Sequence, residues 1–252
     1  MHEPTDIATV VDPLGTVLTV WAHPDDEAYL AGALQAALRD AGHRVVCVTA
    51  TRGEAADPAA LPDERAALAA LRTRELDAAL AILGVTEHHW LDLPDGGCAE
   101  VAPELPVARL VELLEDVAPD TVVTFGPDGF TGHPDHRAVS AWVDAAVRRS
   151  ATRPTVLHAV APAQPADAEL DEQFRIYELG RPRECTEEEV AFRLALDGPA
   201  LDRKVSALLA QESQTAGLVA AVGLDRFRSW VASESFAPPV AASSRATAPQ
   251  LG

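Results

Sequence analysis

The chain is short of positive charge, aromatic side chains and cysteine, and each shortage argues against a class of function. Its 20 Lys and Arg stand against 39 Asp and Glu, a formal charge of -19. Phosphate backbones and anionic membranes are held by clustered Lys and Arg, so the balance speaks against nucleic acid and membrane as partners. A neutral or cationic small molecule is easier to accommodate, and much of the acidity reads as a solubilising surface. Aromatics make up 5% of the residues, which leaves Ala, Val and Leu to build the core. The three cysteines, Cys47, Cys98 and Cys185, are far apart and form no CxxC pair. An odd, scattered set fits a reducing compartment. The first residues have no basic start followed by an apolar stretch, and no uncharged apolar run of about 18 residues occurs anywhere. A soluble, cytoplasmic protein is expected.

What is present is enough apolar material, 48% of 252 residues, for one large α/β domain. That domain is expected over residues 1–236, with a flexible tail over 237–252. Short β-rich runs at Thr16–Trp21, Arg44–Ala50, His89–Leu93, Thr121–Phe125 and Thr155–Val160 alternate with helical spacing. The helical segments are Ala28–Ala41, Glu64–Leu83, Glu104–Val117 and His133–Arg149. This rhythm predicts a mostly parallel sheet with right-handed crossovers and helices on both faces. A further strand at Phe174–Leu179, a capped acidic turn at Thr186–Glu189 and a helix over Pro199–Thr215 are expected in the last third.

Ligands of such sheets bind outside the carboxyl ends of the strands. Two strands deliver their most polar text there: WAHPDDE at Trp21–Glu27 and GPDGFTGHPDH at Gly126–His136. Imidazole and carboxylate are ligands a borderline metal accepts, and a catalytic site keeps one position open for water. His23 and Asp26 supply two ligands, and a histidine of the second cluster completes three. Pro134 suits the first turn of a helix, which sets His133 and His136 three residues apart on one face. One binds metal while the other faces substrate. Asp25, next to Asp26, is then free as general base towards the activated water. A protonated His133 steadies the oxyanion, with Asp135 pairing to its proton.

Alone, HPDD is a common turn with an Asp capping the next helix. Two such clusters at matching strand ends outweigh that simpler explanation. His43, His88, His89 and His158 lack an acidic partner at useful spacing and read as surface or packing residues. The first βα turn has no glycine-rich loop for a dinucleotide, and no GxSxG elbow exists.

With AHPDDE at Ala22–Glu27 and GHPDH at Gly132–His136 in place, the chain resembles the zinc-dependent N-acetylglucosaminyl deacetylase family of LmbE-like or PIG-L-like proteins. TRGE at Thr51–Glu54, RTRELDAALAILGV at Arg72–Val85, LDLPDG at Leu91–Gly96 and the K..AL..QESQ text of Lys204–Gln214 support the resemblance. It implies a Rossmann-like sheet and a Zn2+, or another divalent ion in the cell, held by His23, Asp26 and His136. It also implies Asp25 as base, His133 as the charged partner of the oxyanion, and Arg72, Glu54 and Asp95 as substrate contacts. For Arg72 a solvated helix face is the competing assignment. One departure stands out. The mycothiol-pathway branch has a tyrosine two residues before the first histidine of GHPDH, where this chain has Thr131 beside Phe130. The only tyrosines are Tyr29 and Tyr177.

The expected function is hydrolysis of the N-acetyl group of an N-acetylglucosaminyl-type glycoconjugate, a small molecule, by zinc-activated water. Alternatives are a different N-acyl or carbamoyl group on an antibiotic or lipid glycoside, and a non-catalytic metal or sugar-binding module. Self-association into a homo-oligomer is left open.

Overall fold

The computed structural model describes residues 7–56, 59–161 and 167–240. A short helix α1 (Ile7–Val11) precedes β1 (Val17–Trp21), α2 (Asp26–Asp40), β2 (Val45–Thr49), α3 (Pro62–Leu83) and β3 (Glu87–Trp90). Then come α4 (Glu104–Val117), β4 (Thr121–Phe125), α5 (Pro134–Arg149) and β5 (Thr155–Ala159). The last part holds α6 (Ala168–Gln173), β6 (Phe192–Ala195), α7 (Gly198–Leu209), α8 (Glu212–Val222), α9 (Leu224–Trp230) and β7 (Ser233–Ala237).

These strands form one seven-stranded sheet in the order β3-β2-β1-β4-β5-β7-β6. The pairings among β1 to β5 are parallel, and β7 and β6 add an antiparallel edge. Every residue of β1, β2 and β4 is buried, as expected for Val-rich strands covered on both faces. Successive strands step away from β1 in one direction to β3 and then return to β4 on its other side. Right-handed crossovers therefore put α2 and α3 on one face and α4 and α5 on the other. Accordingly α7 packs with α2 and α3, and α4 packs with α5. The reversal between β1 and β4 is the switch point where α/β sheets open a crevice. No helix among the described residues is long and apolar enough to cross a membrane.

Several expectations need correction. Phe174–Leu179 is a set of turns: Ile176 N–H bonds back to Asp171 O at 3.0 Å, Glu178 N–H to Arg175 O at 3.1 Å, and Arg175 has φ 55°. The segment winds off the end of α6 instead of extending. The helix expected over 199–215 is two, α7 and α8, broken at Gln211 (φ -96°, ψ 57°), whose side chain turns into the core. β6 and β7 are not among the expected strands, and β7 carries polar residues at buried places, Glu234 and Ser235 in SESFA. β3 lies two residues earlier than the spacing implied. The capped turn is present, with Glu189 Oε2 accepting the Thr186 N–H at 2.8 Å. Of the expected tail, Ala237 ends β7, and 241–252 lie outside the described residues.

Candidate active site

The neighbouring strands β1 and β4 end at Trp21 and Phe125, whose rings meet edge to face at 5.1 Å. Beyond Trp21 the chain turns through Asp25, held at φ 112° and ψ -33°, and enters α2 at Asp26. Positive φ in a residue with a Cβ is sparsely populated and persists only where the surroundings impose it. Here Glu27 imposes it. This side chain is fully buried, accepts the Asp25 N–H on Oε2 at 2.9 Å, and takes the Gln211 amide on Oε1 at 2.7 Å.

Beyond Phe125 the loop runs through three left-handed residues, Gly129 (φ 72°), Phe130 (φ 59°) and Gly132 (φ 79°). A side chain at Gly132 has no room, because a Cβ there would lie 2.4 Å from the Leu179 carbonyl. The loop delivers His133 to cap α5, its Nδ1 accepting the Asp135 N–H at 3.2 Å.

The two loops bring together the three residues expected as ligands. His23 Nδ1 lies 3.1 Å from His136 Nε2, His136 Nε2 lies 3.5 Å from Asp26 Oδ1, and Asp26 Oδ2 lies 3.7 Å from His23 Nδ1. Ligand atoms about 2.0–2.1 Å from a tetrahedral zinc are ~3.3 Å from one another, and these separations come near that, with Asp26 turning Oδ1 to His136 and Oδ2 to His23. The remaining nitrogen of each imidazole is fixed by the protein. His136 Nδ1 donates to Gly129 O at 2.9 Å, and the ring stacks on Phe125 at 4.2 Å. His23 Nε2 faces Asp95 Oδ1 at 3.1 Å and Asp135 Oδ2 at 3.2 Å. Such outer partners set the tautomer and aim the free nitrogen at the metal. His133 stands edge-on to His23, ring centroids 4.8 Å apart, and His23, His133 and His136 form one cluster of potential ligands.

Charge in this corner is set by burial and by neighbours. Burial works against a proton on His23, but Asp135 and Asp95 outweigh it and raise the ring to about 10. Burial lowers His136 to about 4, against the pull of Asp26. Burial raises Asp25 to about 7, with Arg72 opposing and Asp26 reinforcing the shift. A carboxylate titrating near neutrality suits proton transfer.

A family pattern described as PIG-L: GlcNAc-PI de-N-acetylase matches residues 18–147, a span that carries both loops. The chain belongs to the PIG-L family. A 1D-myo-inositol 2-acetamido-2-deoxy-alpha-D-glucopyranoside deacetylase from Kineococcus radiotolerans is 37% identical over 166 residues, 53% of this chain. The match spans 45% of that protein, so the chain aligns with about half of its relative's length. An N,N'-diacetylchitobiose deacetylase from Pyrococcus horikoshii shares the fold with a TM-score of 0.59 and 20% identity, over 92% of this chain and 86% of its own. A 4-carboxy-2-hydroxymuconate hydratase from Pseudomonas putida KT2440 also shares it, with a TM-score of 0.63 and 19% identity over 93% of this chain and 100% of its own. This PIG-L fold thus carries more than one chemistry, and the site must decide the reaction.

Within this PIG-L site, Asp135 differs from its expected role. Its carboxylate accepts the Gly96 N–H at 2.8 Å and the Cys98 N–H at 3.0 Å as well as facing His23, and only its backbone N–H touches His133. The start of α5 turns the side chain away from its sequence neighbour. The three residues expected at substrate are also engaged with the protein. Asp95 Oδ2 accepts the Ala55 N–H at 2.7 Å while its other oxygen faces His23. Burial pulls Asp95 upward, yet His23, the Ala55 N–H and Arg72 bring it down to about 2. Glu54 Oε1 accepts the Asp95 N–H at 3.1 Å and steadies that turn, leaving Oε2 as a buried oxygen without a hydrogen-bond partner. Arg72 is 4% exposed, so it is not a solvated helix face, and it is not among the residues lining the cavity over this corner. Its guanidinium donates to Gly53 O at 2.9 Å and Pro24 O at 2.5 Å and sits 3.5 Å from Asp25 Oδ2. It braces the loop that presents Asp25.

Sequence reasoning left Glu27 without a task and did not connect it to Gln211. The signal was there in two halves, the last acid of AHPDDE and the first residue of QESQ. It also missed the outer wall. Segments after α6 and from α8 and α9 close over the corner as a cavity of about 830 Å3 that opens onto Asp25, Asp26 and His136. Thr131 Oγ1 is 3.4 Å from His136 Nδ1, and both tyrosines line the cavity.

Proposed function

We propose that this chain hydrolyses the N-acetyl group of an N-acetylglucosaminyl-type glycoconjugate, releasing acetate and a free amine. The observation that carries the reading is the convergence of His23, Asp26 and His136 within 3.1–3.7 Å of one another, with Asp25 at the same cavity floor. A divalent cation bound by these three, zinc in our reading, makes a water acidic enough to react near neutral pH and polarises the acetamide carbonyl.

The chain's own groups do the rest. Asp25 takes the proton of the attacking water and passes it to the departing amine. Burial raises its carboxyl to about 7, with Arg72 opposing and Asp26 reinforcing the shift. His133 has Nδ1 committed to the Asp135 N–H, so Nε2–H is the donor it offers to the oxyanion. Asp95 and Asp135 hold His23 in register rather than touching substrate.

The named activities of the Kineococcus and Pyrococcus proteins, both deacetylases of amino sugars, support this reading. It is tested by incubating metal-loaded protein with N-acylated glucosamine glycosides of increasing acyl length and scoring free amine and released acid. Turnover of the acetyl member is expected. Turnover of long acyl chains alone supports the alternative N-acyl hydrolase, and zinc-dependent sugar binding without turnover supports a non-catalytic module.

A further inference from the structure

The cavity is larger than an amino sugar needs. Pockets of ~300–1,000 Å3 enclose drug-sized ligands, and this one holds about 830 Å3. Its floor carries the catalytic corner, while its wall includes Tyr29 and Leu30 of α2, Leu218 of α8, Trp230 of α9, and Phe174 and Ile176 from the segment after α6. All six are half-buried, so each presents apolar surface to the space. Tyr29 and Trp230 meet edge to face at 5.7 Å, which joins α2 to α9 as one aromatic surface.

Several polar groups of the lining are already engaged by the protein. Asp171 accepts the Trp230 indole N–H at 3.0 Å. Arg193 Nη1 donates to Ala161 O and Ser235 Oγ, each at 3.3 Å. Arg181 lies over the Tyr177 ring at 5.5 Å. A polyol seated against these six side chains, away from Arg181 and Glu184 of the lining, would bury hydroxyls against hydrocarbon.

We infer that the aglycone of the substrate is a hydrocarbon group, alkyl or aryl, seated against Leu30, Leu218 and Trp230, in place of the inositol that the Kineococcus relative's name specifies. The inference rests on the deacetylase reading in one respect: an acetyl group is too small to fill the wall, so the hydrocarbon belongs to the other end of the substrate.

The test separates binding from turnover. Methyl and hexyl β-glucosaminides, which carry no acyl group to lose, are titrated into metal-loaded protein by calorimetry. The hexyl glycoside is expected to bind at least tenfold tighter, the effect of burying about two methylenes, with a more negative heat-capacity change. Leu218→Asn, on a half-exposed helix position, is expected to reduce the ratio to less than threefold while leaving the melting temperature in place. A shift in tryptophan emission on adding the hexyl glycoside, lost in Trp230→Phe, is the second readout. Equal affinities, or a hexyl preference that Leu218→Asn does not touch, overturn the inference even if the N-acetylated forms of both glycosides, assayed separately for acetate release, are hydrolysed. Tight binding of methyl N-hexanoylglucosaminide with no hexyl-aglycone preference places the hydrocarbon on the acyl side and also overturns it. If neither acetylated glycoside releases acetate but the hexyl preference and its loss in Leu218→Asn hold, the apolar subsite stands and the deacetylase reading falls.

Discussion

Glu27 holds the backbone of Asp25: its Oε2 accepts the Asp25 N–H at 2.9 Å where φ is 112°, and Gln211 anchors its other oxygen at 2.7 Å. The candidate base is thus aimed by a fully buried carboxyl reaching across from the start of α2 and by the break between α7 and α8. Glu27→Gln keeps an oxygen for the Asp25 N–H, and Gln211 can turn its amide to match. Activity of that variant is expected within about fivefold of wild type. Glu27→Ala removes the acceptor and is expected to lower kcat ~10²-fold, the scale of a misplaced catalytic group, with KM and bound metal little changed. Equal kcat in Glu27→Ala and wild type would show that Asp25 needs no such support.

Asp135 faces His23 instead of His133, which moves its expected effect from the oxyanion to the metal. Asp135→Asn is expected to weaken metal binding ~10–100-fold in competition with a chromophoric chelator, as loss of an outer partner does elsewhere. His133→Gln is expected to leave that affinity in place and to lower kcat. Unchanged metal affinity in Asp135→Asn contradicts the assignment.

Lys204 Nζ lies 2.9 Å from Glu234 Oε1, both side chains wholly buried. Glu234 in turn accepts the Ala33 N–H at 2.8 Å and the Leu34 N–H at 3.0 Å, the groups freed where α2 kinks at Ala31. Lys204→Met strands a buried carboxylate and is expected to cost about 3–5 kcal/mol in urea unfolding. Lys204→Met with Glu234→Gln is expected to recover part of this, since the amide oxygen still serves the kink. A loss under 1 kcal/mol in the single variant contradicts a paired role.

Much of this was legible in the sequence because β1 and β4 are short apolar runs that stop abruptly at polar text, and both ends fall at the switch point of the sheet. Helices α4 and α5 were readable for the same reason, with Pro134 and the apolar spacing marking them. The partners of the site were not readable. Asp135 is two residues from His133, yet the first turn of α5 directs its side chain to Gly96, Cys98 and His23. Arg72 reads in the sequence either as a substrate contact or as helix surface, because α3 has little amphipathic contrast, and only the packing of α3 under the Pro24 loop buries it. The strand β7 hides behind Glu234, whose burial is tolerable only because Lys204 and the kinked backbone meet it.

On this reading His23, Asp26 and His136 hold a metal at which Asp25 moves the proton. Metal content by elemental analysis and acetate release from an N-acetylglucosaminide, measured together on Asp25→Ala and His136→Ala, test it most directly. Asp25→Ala is expected to keep its metal and to lose ~10²–10⁴-fold in kcat, whereas His136→Ala loses both. Wild-type activity persisting after exhaustive chelation with the metal shown to be gone, or an Asp25→Ala variant as active as wild type, would contradict it.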